Sequence, residues 1–187
     1  MTLSRFFKSL VASVAFAGAA PSFAQLNGPF YACLNTPLAD FDGSVVDAAV
    51  ATPELSTLVT AVTAAGLADT LATAEGITVY APTDAAFANV PTPILDALLA
   101  DTALLTTVLT YHVTGEPAFR ADPRRGSSAA PLLISTLAGQ SLAVGFNTGG
   151  APMVNQSMAD CQGVSTDNGV VWIIDSVLMP QFLPTAE

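Results

Sequence analysis

Positive charge is the scarcest thing in this chain: 187 residues hold five Lys and Arg against fifteen Asp and Glu. Two of the five, Arg5 and Lys8, lie near the N-terminus, so beyond residue 24 three basic residues face fifteen acids, a formal −12. Such a surface repels nucleic acid and anionic lipid and favours solubility, so no nucleic-acid partner is expected. Histidine occurs once, as His112, and cysteine twice, as Cys33 and Cys161. A serine nucleophile would need a tight elbow, and no Gly-x-Ser-x-Gly is present. Glycine-rich phosphate loops of either common pattern are missing as well. Two thiols and one distant imidazole have no finger-like spacing, so neither a metal nor another cofactor is expected. The fifteen carboxylates include none among clustered aromatics, which would raise a pKa for general-acid work. These absences argue against an enzyme.

Only the first residues carry a leader-like apolar run. Arg5 and Lys8 give a positive start, Leu10 to Ala20 is apolar, and Ser22-Phe23-Ala24 places small residues where a signal peptidase reads. The run is shorter than the about 20 residues a membrane span needs. Residues 1–24 are therefore expected to be a signal peptide, and the mature chain to be exported, periplasmic or extracellular, without a transmembrane segment. In an oxidising compartment two cysteines are most simply one disulfide, Cys33–Cys161. It would pin an arm, residues 25–43, that otherwise has little reason to stay ordered.

The remainder reads as one domain, residues 44–180, with a short tail at 181–187. Its first half is helical. Ser44 with Asp47 makes a capping box for a helix over Val45 to Ala51, and Pro53 suits the start of the next. Leu55, Leu58, Val59 and Val62 then recur at helical spacing up to Gly66, a natural stop. Leu67 to Ala72 adds a turn or two. A strand over Ile77 to Ala81 breaks at Pro82-Thr83-Asp84, where Thr83 or Asp84 caps a short helix carrying Phe87 inward. Thr92 opens a helix through Leu99, and Asp101 caps another with the stripe Leu105, Val108, Leu109 and His112. Strands follow at Leu132 to Ile134, Ser141 to Phe146, Met153-Val154 and Val170 to Leu178. The last is apolar on both faces until Asp175, which suits a central strand covered on both sides. Gly149-Gly150 and Asp167-Asn168-Gly169 are turns, the latter a hairpin signal. Arg120, Arg124 and Arg125 share one loop and read as a solvated segment, with an anion-binding patch as the alternative. Asn155-Gln156-Ser157 fits a glycosylation triplet that is expected to be unused. Helices first and strands later make the fold class α+β.

Three segments in fixed order carry a resemblance: Thr78-Val79-Tyr80-Ala81-Pro82-Thr83-Asp84-Ala85-Ala86-Phe87, then Tyr111-His112-Val113, then Asn168-Gly169-Val170-Val171-Trp172-Ile173-Ile174-Asp175 running on to Pro180. Together they resemble the fasciclin domain. The resemblance implies a β-rich wedge packed with a group of short helices, and a role in adhesion rather than chemistry. It marks Pro82, Thr83, Asp84, Phe87, Asn168, Gly169 and Asp175 as structural motif residues. In animal fasciclin proteins of the matrix the Tyr-His segment is tied to integrin-mediated adhesion, which makes Tyr111 and His112 the candidate binding residues. By spacing alone, His112 shares a face with Val108 and Leu109 and reads as an imidazole bonded to backbone. Trp172 departs from the many members that carry His at that position, so any role for an ionisable group there is gone.

The expected function is non-covalent binding in cell adhesion or surface attachment, with a protein or polysaccharide of a cell surface or matrix as partner. The alternative is a periplasmic small-ligand-binding or envelope accessory protein. One copy without an anchor gains nothing from multivalency, so self-association or retention by a partner is part of the adhesion reading. Reducing the Cys33–Cys161 bridge should lower stability by about 4–5 kcal/mol in the chain-entropy model. Denaturant titration with and without reductant measures this, and two free thiols in non-reducing mass analysis would refute the pairing.

Overall fold

A computed structural model of the chain describes residues 29–126 and 130–181. The expected signal peptide (1–24), the first residues of the arm (25–28) and residues 182–187 of the tail lie outside the described residues. The arm supplies α1 (Pro29–Leu34) and β1 (Ala39–Asp40). The helical half follows: α2 (Val45–Ala51), a 3-10 turn (Pro53–Leu55), α3 (Ser56–Ala64) and α4 (Ala68–Thr73). Strand β2 (Ile77–Pro82) leads to α5 (Asp84–Ala88), α6 (Thr92–Ala100) and α7 (Thr102–Tyr111). After β3 (Val113–Thr114) and α8 (Ala118–Ala121) come β4 (Leu132–Ser135), β5 (Ser141–Phe146), β6 (Pro152–Val154), β7 (Ser157–Met158), β8 (Val164–Ser165) and β9 (Gly169–Ile174). Among the described residues no single helix is long and apolar enough to cross a membrane.

The strands form two sheets, in the order β1-β8-β9-β2-β3 and β4-β5-β6-β7. The first is mixed: β9 runs parallel to β2 from Ile77↔Gly169 to Pro82↔Ile174, while β8–β9 and β2–β3 are antiparallel. The second is an antiparallel meander. Side chains alternate across a strand, and here both faces are covered. Ile77, Val79, Ala81 and Val171 pack under the helices with Leu58, Val62 and Leu109. Tyr80, Val170, Trp172 and Ile174 point the other way, into a second core with Ile134, Leu142, Val144 and Val154 from the meander. The fold is α+β, with a helical layer on one face of the mixed sheet and the strand wedge on the other. A Cβ at Gly169 would collide with the Ile77 carbonyl oxygen, so the parallel pairing begins where only glycine fits.

Local chemistry explains the helix ends. The Ser44–Asp47 capping box is complete in both directions. Gly66 takes the left-handed φ of 67° after α3. Thr83 caps α5 by accepting from the Ala86 amide, and Asp101 accepts from Ala103 and Leu104 at the start of α7. The strand expected over Val170 to Leu178 ends earlier, at Ile174. Beyond it Asp175 turns its backbone and its carboxylate to Met158 of β7.

Two expectations need correcting. The arginine loop is not uniformly solvated. Arg120 and Arg125 are exposed, but Arg124 is buried. Its guanidinium makes a two-point pair with Asp122 at 2.9 Å in both bonds, donates to the carbonyls of Cys33, Thr36 and Cys161, and lies 4.7 Å from the centre of the Trp172 ring. A buried cation is tolerable only with such full pairing. The arm also has more than the bridge to order it. The Cys33–Cys161 disulfide is present, spanning 128 positions, and β1 pairs in parallel with β8 while Arg124 holds the carbonyls on either side of the bridge. Replacing Arg124 by Ala strands the Asp122 carboxylate and should cost about 3–5 kcal/mol. Urea unfolding of the purified variant measures it, and a loss below about 1 kcal/mol would show that the cluster is dispensable.

Candidate functional site

The Tyr-His pair sits where helix α7 runs into β3, at the seam between the two cores. His112 is buried, 2% exposed, and both ring nitrogens are used. Nδ1 lies 2.8 Å from the Val108 carbonyl, so it carries the proton and donates. Nε2 then accepts from the backbone N–H of Leu178 at 2.9 Å. Burial pulls the His112 pKa down from 6.5 to about 4, with the Val108 carbonyl acting weakly against it. The imidazole is thus neutral near pH 7, and only the neutral ring can accept the Leu178 amide.

Tyr111 points into the wedge. Its hydroxyl donates to the Ser141 carbonyl (3.3 Å) and accepts from Asn155 Nδ2 (3.1 Å). Asn155 stands in the β6–β7 turn at φ 53°, a left-handed conformation that Asn tolerates. Its Oδ1 accepts from the Ala143 amide, so both ends of the amide are engaged. On the far side, Gln140 holds Gln181 by two bonds, its Nε2 donating to the Gln181 carbonyl (3.1 Å) and its Oε1 accepting the Gln181 amide (2.9 Å). Ser157 bridges the two sides by donating to the Ser176 carbonyl.

These bonds enclose a groove of about 1090 Å³. One wall is Gln140, Ser141, Asn155, Gln156 and Ser157; the other is the segment from Ser176 to Gln181, with Tyr111 at the floor. No lining residue is charged, on a chain whose acids outnumber its bases three to one. Tyr111 and His112 each fasten one wall: Tyr111 the β6–β7 turn, His112 the segment carrying Leu178. A second, apolar crevice of about 40 Å³ lies on the opposite side of His112, between α2, α3 and β2, and is lined chiefly by Val and Leu.

The motif residues have other tasks. Asp84 accepts from the Thr57 amide and the Ser56 hydroxyl, both at 2.7 Å, and so caps α3, a neighbouring helix whose own cap position is Leu55. The amide and hydroxyl bonds hold its carboxyl below the usual aspartate range. Asn168 is more than a turn residue. Its buried amide accepts from Val45 N–H and donates to the carbonyls of Leu71 and Ala74, tying α2 and α4 to the β8–β9 turn. Phe87 is buried under the helices, and Pro82 and Gly169 are the two ends of the parallel pairing. Sequence reasoning missed Gln140 and Gln181 altogether, met Gln156 only inside the glycosylation triplet, and met Met179 only as part of the third family segment. Asn155 came up only as a glycosylation triplet, although an Asn in a tight hairpin turn was a legible signal.

The chain belongs to the fasciclin family, whose domain profile matches residues 53–180. It is 40% identical over 144 residues to immunogenic protein MPB70 of Mycobacterium bovis, covering 73% of this chain and 68% of that protein. With cell surface glycolipoprotein MPB83 of the same species it shares 40% identity over 141 residues, 73% of this chain and 60% of the relative. The uncharacterized protein sll1735 of Synechocystis is 35% identical over 136 residues, 73% of this chain and 97% of its own length. Among solved structures, a FAS1 domain pair from the insect cell adhesion molecule Fasciclin I superposes with a TM-score of 0.54 at 14% identity, over 74% of this chain and 51% of that one. That likeness shows the fold.

The depressed His112 pKa fixes a pH dependence. Between pH 6.5 and about 4 the unfolded chain takes up a proton that the folded chain refuses. The stability this group contributes is whole above pH 6.5 and is lost as pH falls toward 4, by about 3 kcal/mol. Unfolding free energies of wild type and His112→Gln, measured from pH 7 to 4, should converge across that window. Parallel curves would show that His112 does not titrate as its burial requires.

Proposed function

We propose that this protein is an exported fasciclin-domain binding protein that attaches, non-covalently, to a component of a cell surface or matrix through the groove beside Tyr111 and His112. The observation that carries the reading is the groove itself, about 1090 Å³ and uncharged, with both walls bonded to the Tyr-His pair. Its walls are pinned before any partner arrives, which limits the ordering cost of binding. In this reading Tyr111 and His112 position the walls, and a partner meets the exposed residues around them. A disulfide fits an oxidising compartment, and a relative named as a cell-surface glycolipoprotein supports the location.

The second reading, a small-ligand-binding protein, is favoured by the apolar crevice on the other side of His112. Size argues against this second reading. A volume of about 40 Å³ admits little more than the end of an alkyl group, whereas small-ligand sites enclose roughly 300–1,000 Å³.

The test is surface retention of the source cells with the gene intact, deleted, and restored as wild type or as Gln156→Trp, which fills the groove from an exposed position. Deletion should reduce retention, and wild type but not the folded, exported Gln156→Trp protein should restore it. Unchanged retention on deletion would sink the attachment reading.

A further inference from the structure

We infer that the groove takes a neutral polysaccharide: several sugar units of an uncharged glycan lying between the β6–β7 turn and the segment after β9. This deepens the proposed function and rests on its assignment of the groove. Charge comes first. The lining has no Asp, Glu, Lys or Arg, and the surrounding molecule is strongly acidic, so a polyanion would be repelled and would find no cation to hold it. The hydrogen-bonding inventory comes second. The exposed groups are the Gln156 and Gln181 amides and the Ser141 hydroxyl, with the Ser176 oxygen left as an acceptor because its proton goes to the Asp175 carboxylate. An amide offers a donor and an acceptor together and a hydroxyl offers both on one oxygen, as sugar hydroxyls do. Such pairs form without the desolvation cost of a buried charge.

Shape and apolar contact agree. The volume of about 1090 Å³ lies just above the range of roughly 300–1,000 Å³ for compact ligands, which suits a chain of units. Met179, 39% exposed on one wall, offers a soft apolar contact for the C–H face of a ring. A protein partner would ask for more. Interface cores draw on aromatic anchors and exclude water, but the one aromatic here, Tyr111, is 4% exposed and has its hydroxyl committed. Strand addition is limited as well, because the sheet edge beside the groove, β7, is two residues long.

The purified, disulfide-intact protein should be titrated calorimetrically with cellohexaose, maltohexaose and chitohexaose, and with hexagalacturonate as the charged counterpart. At least one neutral hexamer should bind with a Kd below about 1 mM. That Kd should change less than about twofold between low and high salt, since no charge is engaged. Gln156→Ala, exposed and folded by an unchanged Tm, should weaken binding about tenfold, the worth of one good hydrogen bond. Binding of none of the neutral hexamers, tighter binding of hexagalacturonate, or an unaltered Kd in Gln156→Ala would each overturn the inference. The two readings fail separately. If Gln156→Trp abolishes surface retention but no neutral hexamer binds, the groove stands and the glycan falls. If a neutral hexamer binds in the Gln156-dependent way while retention ignores Gln156→Trp, the glycan stands and the attachment reading falls.

Discussion

The parallel pairing of β2 with β9 is the constraint on which everything else in this structure hangs. Parallel strands cannot be joined by a tight turn and tend to be covered on both faces. Almost the whole domain serves that need: the helices cover Ile77, Val79 and Val171, and the meander covers Tyr80, Trp172 and Ile174. The motif residues cluster at the ends of this pair. Thr83 and Asp84 follow β2, where they start α5 and cap α3. Asn168 precedes β9, where its amide gathers four backbone groups from the start of α2 and the end of α4. The Tyr80 amide donates to the His112 carbonyl, so the Tyr-His pair is referred to the same strand. A shift of one residue in the pairing would exchange the two cores and move every one of these groups at once.

The wedge is closed by a charge that the acidic surface does not advertise. Arg124 sits inside with Asp122 and over Trp172, and the arm and the segment before β8 are held through carbonyls on either side of the disulfide. Tyr80 shares this region: its hydroxyl donates to the Ala121 carbonyl, and burial together with the Asp122 carboxylate raises its pKa above the ordinary tyrosine value. Planar guanidinium suits the work, since it can pair bidentately, donate to carbonyls and stack on indole at the same time; lysine cannot. Trp172, which departs from the histidine of many fasciclin domains, therefore has a specific occupant for its face. The position has become part of a packed cation site, not merely a filled volume.

What was legible in the sequence was whatever is decided by near neighbours. The capping box at Ser44, the stop at Gly66, the cap at Asp101 and the two-faced run beginning at Val170 each depend on residues a few places away, and each is seen in the fold. The two-residue strands β1, β3, β7 and β8 were not legible, because segments that short have no period and exist only through the strand they pair with. Burial of Arg124 was hidden for the same reason. In the sequence it looks like its neighbours Arg120 and Arg125, and only Trp172 and the bridged carbonyls distinguish it. The groove was the least legible feature, assembled from a β-turn, a hairpin and a post-strand segment that share no local pattern.

In the attachment proposed for this protein, the Tyr-His pair acts without being exposed. Tyr111 is 4% exposed and His112 2%, so neither side chain presents much surface to a partner. Their polar atoms go instead to Asn155, Ser141 and Leu178, which belong to the walls of one groove, and to the Val108 carbonyl within α7. Losing the Tyr111 hydroxyl would leave Asn155 Nδ2 without its acceptor and Asn155 held only from Ala143. Protonating or removing the imidazole would leave the Leu178 amide without its acceptor and loosen the opposite wall. A substitution at either position can therefore weaken binding while the contact surface keeps every one of its own residues. Under the proposed attachment, binding lost in that way identifies a support, and the contact is assigned to Gln156, Met179 and Gln181, where the walls face solvent.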